Sequence, residues 1–127
     1  MDRLYPWGDK PAPTGDLLNF WKTGLGTWSA VGSYPGGASP YGALDMAGNV
    51  WEWTADWYDG KYYADSPRAN PTGTANPTGP AEGELRVLRG GAFYLSASGV
   101  RCAYRDHLSP GYGDAVIGFR VVVSPGL

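Results

Sequence analysis

The chain has 127 residues, 43% of them hydrophobic, a formal net charge of −2 and one cysteine, which describes one globular domain with room for a small core. No basic run is present, which argues against nucleic acid as a partner, and the longest apolar stretches are a few residues, too short for membrane insertion. The lone Cys102 excludes an intrachain disulfide and any multi-cysteine metal cluster.

Gly and Pro make up about a quarter of the chain, whereas six Trp and nine Tyr supply large surfaces to bury. The balance predicts a loop-rich, aromatic-cored domain. Residues 1–15 read as loop, and residues 16–22 (DLLNFWK) as one short helical turn. Residues 31–41 (VGSYPGGASPY) are punctuated too often for regular structure, and 41–46 read as a turn or short helix. In residues 49–56, Val50, Glu52 and Thr54 alternate with Trp51, Trp53 and Ala55, which predicts a strand. Residues 65–83 carry NPTG twice, at Asn70 and Asn76, a local duplication within a loop. Strands are predicted at 85–88 (LRVL), at 99–105, where Val100, Cys102 and Tyr104 share a face, and most strongly at 117–123 (IGFRVVV). Short strands joined by long loops place function in the loops.

The motifs, in order, are YPWGD from Tyr5, the Asn19 region, VGSYPGGASPYG from Val31, GALDMAGNVWEWTADW from Gly42, RGG at Arg89-Gly90-Gly91 and GFR at Gly118-Phe119-Arg120. Together they span nearly the whole chain and resemble the formylglycine-generating enzyme (sulfatase-modifying factor) family. The resemblance implies an α+β, loop-rich, C-type-lectin-like fold with short antiparallel strands and little helix. It also implies a sizeable N-terminal part ahead of YPWG, which this chain is expected to lack. If that part normally pairs a terminal strand, the sheet keeps an open edge and the chain is expected to self-associate.

In the enzymes of this family two cysteines shortly after RGG bind copper and oxidise a substrate cysteine; soft sulfur suits Cu(I). Here the matching stretch, residues 92–99 (AFYLSASG), has no sulfur. Cys102 matches a structural cysteine of the family and is expected to be a buried packing residue. Related sulfoxide synthases hold iron with histidines of a separate helical domain; the single His107 reads as an exposed loop side chain and cannot make that site. Neither copper nor iron is therefore expected. The resemblance does imply a calcium set at Asp45, Gly48 (carbonyl), Val50 (carbonyl) and Glu52, oxygen donors suited to Ca²⁺. The alternative is that Asp45 caps a turn and Glu52 pairs with an arginine such as Arg105. The family's second calcium site needs an Asp absent from residues 21–29 (WKTGLGTWS), and is not expected. Arg89, Arg101, Arg105 and Arg120 read as ties between loops and sheet rather than an anion site, and Trp51, Trp53 and Trp57 as core.

Two segments differ in texture from their surroundings. One is residues 93–99 (FYLSASG), with Phe93, Tyr94, Leu95, Ser96, Ala97 and Ser98 as candidate contacts; the other is residues 106–116 (DHLSPGYGDAV), with Asp106, His107, Leu108, Ser109, Gly111, Tyr112 and Asp114. They resemble the variable loops of the retroelement-diversified proteins, whose diversified Asn codons cannot become Lys, Glu, Gln, Met or Trp; none of those five occurs in either segment. Tyr among Ser, Gly and Asp also matches the composition of an antibody paratope. The reading that follows is a non-catalytic binding module presenting these segments to a protein or cell-surface ligand. If the chain is a variable protein of a diversity-generating retroelement, it is surface-displayed, secreted or virion-associated. The alternative is an oxidoreductase domain of the formylglycine-generating or iron-dependent sulfoxide-synthase type, completed by parts outside this chain.

Overall fold

A computed structural model describes residues 3–65 and 79–123; the paired NPTG segments lie outside the described residues. Four short strands form one sheet: β1 (Trp51–Trp57), β2 (Arg86–Arg89), β3 (Arg105–Leu108) and β4 (Ile117–Gly118), in the order β3-β2-β1-β4. β1–β2 and β2–β3 are antiparallel. β1–β4 is parallel, with Trp51 beside Ile117, which departs from the all-antiparallel expectation. Helix among the described residues is confined to α1 (Tyr62–Asp65) and to 3-10 turns at Trp21–Thr23, Pro35–Gly37 and Ala97–Val100.

β1 forms where period two predicts it. Trp51 is buried and Trp53 partly so, and both pack with Leu88, Ala92, Leu108, Val116 and Ile117. Trp57 is half-buried with the Arg86 guanidinium 3.5 Å above its ring, and Arg86 Nη1 donates to the Ala55 carbonyl. A second cluster lies beneath the loops: Tyr5, Leu18, Phe20, Ala47 and Val100, flanked by Trp7, Leu17 and Leu95. Leu95 belongs to both clusters, so it joins the sheet to the loop layer. Each fully buried aliphatic or Phe side chain contributes roughly 1.5–3 kcal/mol, and these clusters are what a small chain has in place of long elements.

Several expectations are corrected. The strand at 99–105 does not form. Val100 is drawn into the loop-layer cluster at the end of a 3-10 turn, and the Cys102 amide bonds the Leu4 carbonyl at 2.8 Å. Cys102 therefore sits in a turn with its residue surface exposed rather than buried, although the surrounding chain still desolvates its thiol enough to raise its pKa. Arg105, the last residue of that expected strand, and Asp106, His107 and Leu108, expected as loop, form β3 instead. Finally, residues 117–123 contribute only Ile117–Gly118 as strand, because a β-prone sequence extends a sheet only where an edge receives it. The helical turn expected at 16–22 appears shifted, as the 3-10 turn Trp21–Thr23, with Thr23 Oγ1 accepting the Phe20 amide at 3.0 Å and donating to the Leu18 carbonyl at 3.1 Å.

The loop layer is pinned by an asparagine pair. Asn49 is buried with φ 66°. Its Oδ1 accepts from the Ser29 amide (2.8 Å), Ser29 Oγ (3.2 Å) and Asn19 Nδ2 (3.3 Å), and its Nδ2 donates to the Ser29 carbonyl at 3.2 Å. Asn19 Nδ2 also reaches the Thr27 carbonyl at 2.8 Å. Gly48 must be glycine: φ is 75°, and a Cβ would stand 2.3 Å from the Asn19 carbonyl oxygen. This is the physical content of the GN in DMAGNVWEW.

Candidate binding surface

The first candidate segment is shaped by the turn that ends β2. Gly90 and Gly91 have φ of 90° and 74°, and a Cβ on Gly91 would lie 2.6 Å from the Gly99 carbonyl. The chain thus folds back tightly, and the Phe93 amide bonds the Asn49 carbonyl at 2.9 Å. Tyr94 is half exposed, yet held: its phenolic oxygen accepts the Trp51 indole N–H at 3.0 Å, and the Phe93 ring meets it edge-on at 5.6 Å. Ser96 and Ser98 are exposed, their hydroxyls 2.9 Å apart. Leu95 does not belong to the exposed face, because it packs against both clusters. Ala97 is half-buried, and its carbonyl accepts the Tyr5 hydroxyl at 3.3 Å.

The second segment is partly sheet. Asp106, His107 and Leu108 lie on β3 opposite Leu88, Val87 and Arg86, so successive side chains face opposite sides. Leu108 packs with Trp51 and Leu88. His107, expected as an exposed loop residue, is half-buried and stacks on Tyr58 at 3.8 Å and 12°; the Arg105 guanidinium lies 4.8 Å from the same ring. His107 Nδ1 nonetheless lies 3.8 Å from Asp106 Oδ1; Leu108, packed inward, is the β3 residue that a ligand face cannot use. The loop proper begins at Ser109. Residues 109–116 run from the far end of β3 back to the start of β4, an arrangement fixed by the register. Ser109, Gly111, Tyr112 and Asp114 are exposed. The Tyr112 hydroxyl donates to Asp114 Oδ2 at 3.1 Å, and this hydrogen bond, with the carboxylate's charge, raises the phenol's pKa.

Both segments meet at Trp51. Its indole holds Tyr94, its ring lies 5.9 Å from that of Tyr104, and its amide donates to the Val116 carbonyl at 2.8 Å. Of the exposed residues in the two segments Tyr94 touches it; Ser96, Ser98 and the loop from Ser109 to Asp114 are further exposed residues of those segments. A neighbouring stretch escaped the sequence reading: the Trp21 amide bonds the Leu95 carbonyl at 3.1 Å, and Trp21, Leu25 and Trp28 are about half exposed or more. Large apolar residues in a Gly-rich stretch without period were the available signal.

The calcium set divides. Asp45, Val50 and Glu52 line a cavity of 450 Å³ with Val31, Leu44 and Arg120, and Gly48 does not line it. Asp45 Oδ2 accepts the Gly32 amide at 2.6 Å. Both Glu52 oxygens accept from Arg120, whose Nη groups also bond the Leu44 and Asp45 carbonyls at 2.9 Å. The guanidinium's pKa is raised, chiefly by the Glu52 hydrogen bonds, against a partial loss to burial. A hard divalent ion draws affinity from ligand charge, and Glu52's charge is already balanced, so these donors as arranged do not fit the ion. The geometry favours the ion-pair reading, with Arg120 in the place expected of Arg105. The other arginines tie loops as anticipated: Arg89 reaches the carbonyls of Cys102, Ala103 and Tyr104, Arg101 that of Ser98, and Arg105 that of Asp59.

A small mixed sheet carrying long, pinned loops, two of them anchored at Trp51, is a loop-rich scaffold. A family model described as the sulfatase-modifying factor enzyme 1-like domain matches residues 1–125, and the chain belongs to that family. The formylglycine-generating enzyme of Bos taurus is 35% identical over 132 residues, covering 94% of this chain and 33% of its own length. Serine/threonine-protein kinase pkn1 of Chlamydia caviae is 46% identical over 90 residues, 71% of this chain and 14% of its own. The chain thus spans a third or less of these two relatives. Among solved structures, Treponema denticola variable protein 1 superposes with a TM-score of 0.64 at 31% identity, covering 82% of this chain and 34% of that one. The fold is the loop-rich, C-type-lectin-like fold of this family.

Proposed function

We propose that this chain is a non-catalytic ligand-binding module that presents Tyr94, Ser96, Ser98 and residues 109–114 to a protein or cell-surface ligand. The observation that carries the reading is the fate of the segment after RGG. Where the family's oxidases carry their cysteines, this chain has Leu95 in the core and Tyr94 held outward by Trp51. A tyrosine pinned at its hydroxyl loses little rotamer entropy on binding, and serines beside it adapt. Likeness to a variable protein supports the sharper form, that the loops are diversified by a retroelement.

The test is a library randomised at Tyr94, Ser96, Ser98, Ser109, Tyr112 and Asp114. Members that keep Tyr94 should fold with melting temperatures near that of the parent, those that replace it should lose several degrees with the Trp51 bond, and selection against a purified protein such as lysozyme should yield binders. Widespread unfolding would refute a display surface. A near-copy of the coding segment for residues 99–118 beside a reverse transcriptase gene, differing at adenines, would establish the retroelement form. Stoichiometric copper, or oxidation of a cysteine-bearing sulfatase peptide by this chain, would instead establish the oxidoreductase reading, which the relatedness to formylglycine-generating enzymes favours.

A further inference from the structure

Beyond β4 the chain continues as Phe119-Arg120-Val121-Val122-Val123. Arg120 turns back to Glu52 and to the Leu44 and Asp45 carbonyls, which fastens the segment to the body. Its neighbours stand out: Phe119, Val121, Val122 and Val123 are 74%, 81%, 85% and 88% exposed. β4 is the outermost strand of the sheet, so this apolar stretch extends a sheet edge. Natural edges are blunted by Lys, Pro or inward charges; residues 117–123 have no Lys or Pro, and their one charge is neutralised by Glu52.

We propose that residues 117–123 form a self-association edge, occupied by a second copy of this chain paired about a twofold axis. Area is the first argument. The four side chains offer roughly 100 Å² each, so about 800 Å² is covered when two copies meet. Val31, 86% exposed and lining the cavity that Phe119 also lines, brings the total near ~1,000 Å², the lower bound for a biological interface and the range of weak ones. Charge is the second: with Arg120 balanced within its own protomer, identical strands meet without like-charge repulsion. Symmetry is the third, since a twofold sets one apolar patch against an identical apolar patch. An interface of this size and polarity gives a weak dimer, with a dissociation constant in the micromolar range. The proposal does not rest on the ligand-binding reading.

Sedimentation velocity of the full chain from about 2 to 500 μM, with reductant present so that Cys102 cannot cross-link, tests it. The weight-average mass should rise from 13.6 kDa toward twice that value, and the double variant Val121→Lys, Val122→Lys should weaken association at least tenfold while keeping the parent's melting temperature. A mass of 13.6 kDa at every concentration overturns the proposal and leaves the edge to some other occupant, such as a segment of a longer polypeptide. Dimerisation unchanged in the lysine variant overturns it too. Should that variant misfold, hydrogen exchange of the unaltered chain decides: amides of residues 119–123 should gain protection with concentration, and concentration-independent exchange refutes the edge.

Discussion

Asn49 offers the sharpest test of how the loops are held. Replacing it with Ala removes three bonds accepted by Oδ1 and one donated by Nδ2, in a site where Asn49 is 5% exposed and water cannot easily substitute. Asn19 Nδ2 keeps the Thr27 carbonyl, but the Ser29 amide loses its side-chain partner. Counting about 1 kcal/mol for each well-made bond, less for the long ones, gives roughly 2–3 kcal/mol. Alanine must also hold φ near 66°, which adds about 1–2 kcal/mol. The expected loss is about 3–5 kcal/mol, or some 12–20 °C in melting temperature at about 4 °C per kcal/mol for a domain of this size. Asn49→Gly deletes the same bonds without the left-handed strain, and should recover about 1 kcal/mol relative to Ala, somewhat offset by glycine's chain entropy. Thermal and urea denaturation followed by circular dichroism measure both. An alanine variant within about 4 °C of the parent would refute the pinning role, and a glycine variant no more stable than alanine would refute the strain component.

Arg120→Met should cost about 1–2 kcal/mol, discounted because the ion pair is partly exposed, and 1 mM calcium should leave the parent's melting temperature unchanged within error; a rise of several degrees would show that Glu52 and Asp45 take the ion despite Arg120. The carboxylate beside Tyr112 penalises its phenolate, so absorbance titration should place this tyrosine above the ordinary value of 10, and Asp114→Asn should bring it down; no change on that substitution refutes the contact. Burial moves the Cys102 thiol the same way, above 9, so alkylation at pH 8 should be slower than that of an unstructured cysteine peptide, and equal rates would contradict the desolvation. Trp51→Phe removes the indole N–H that holds the Tyr94 hydroxyl and leaves a cavity in the core; it should lower stability by about 2–3 kcal/mol and increase protease nicking within residues 93–99, and an unaltered nicking pattern would remove Trp51 as the anchor of that segment.

What could be read in the chain follows from where each residue's energy is decided. β1 was legible because Trp51 and Trp53 alternate against polar neighbours, and both faces of that alternation are used. The GN and RGG turns were recognisable as words, but their cause is a close backbone approach, at Gly48 to Asn19 and at Gly91 to Gly99, which no local pattern encodes. Residues 99–105 alternate as a strand would, yet Val100 gains more from the cluster of Leu18 and Phe20 than from a ladder, and that cluster is assembled from residues some eighty positions earlier in sequence. β3 was missed for the converse reason. Its sequence, RDHL, has no apolar alternation because Tyr58 covers one side and Leu108 alone packs on the other.

The same distinction bears on function. A residue in a variable-looking segment is free to change only if the fold does not use it, and here the segments split on that criterion. Leu95 and Leu108 are structural; His107 is stacked on Tyr58 and within 3.8 Å of Asp106; apart from the Tyr94 bond to Trp51, Tyr94, Ser96, Ser98, Ser109, Tyr112 and Asp114 contribute little to either cluster. If diversification acts on this surface, natural variants of the chain should differ at the second group and keep apolar residues at 95 and 108. Variants with Ser, Asn or Asp at those two positions, each folded and stable, would mean that the division between scaffold and display drawn from packing is wrong, because an unsatisfied polar group there should cost roughly 1–3 kcal/mol on top of the lost apolar contact.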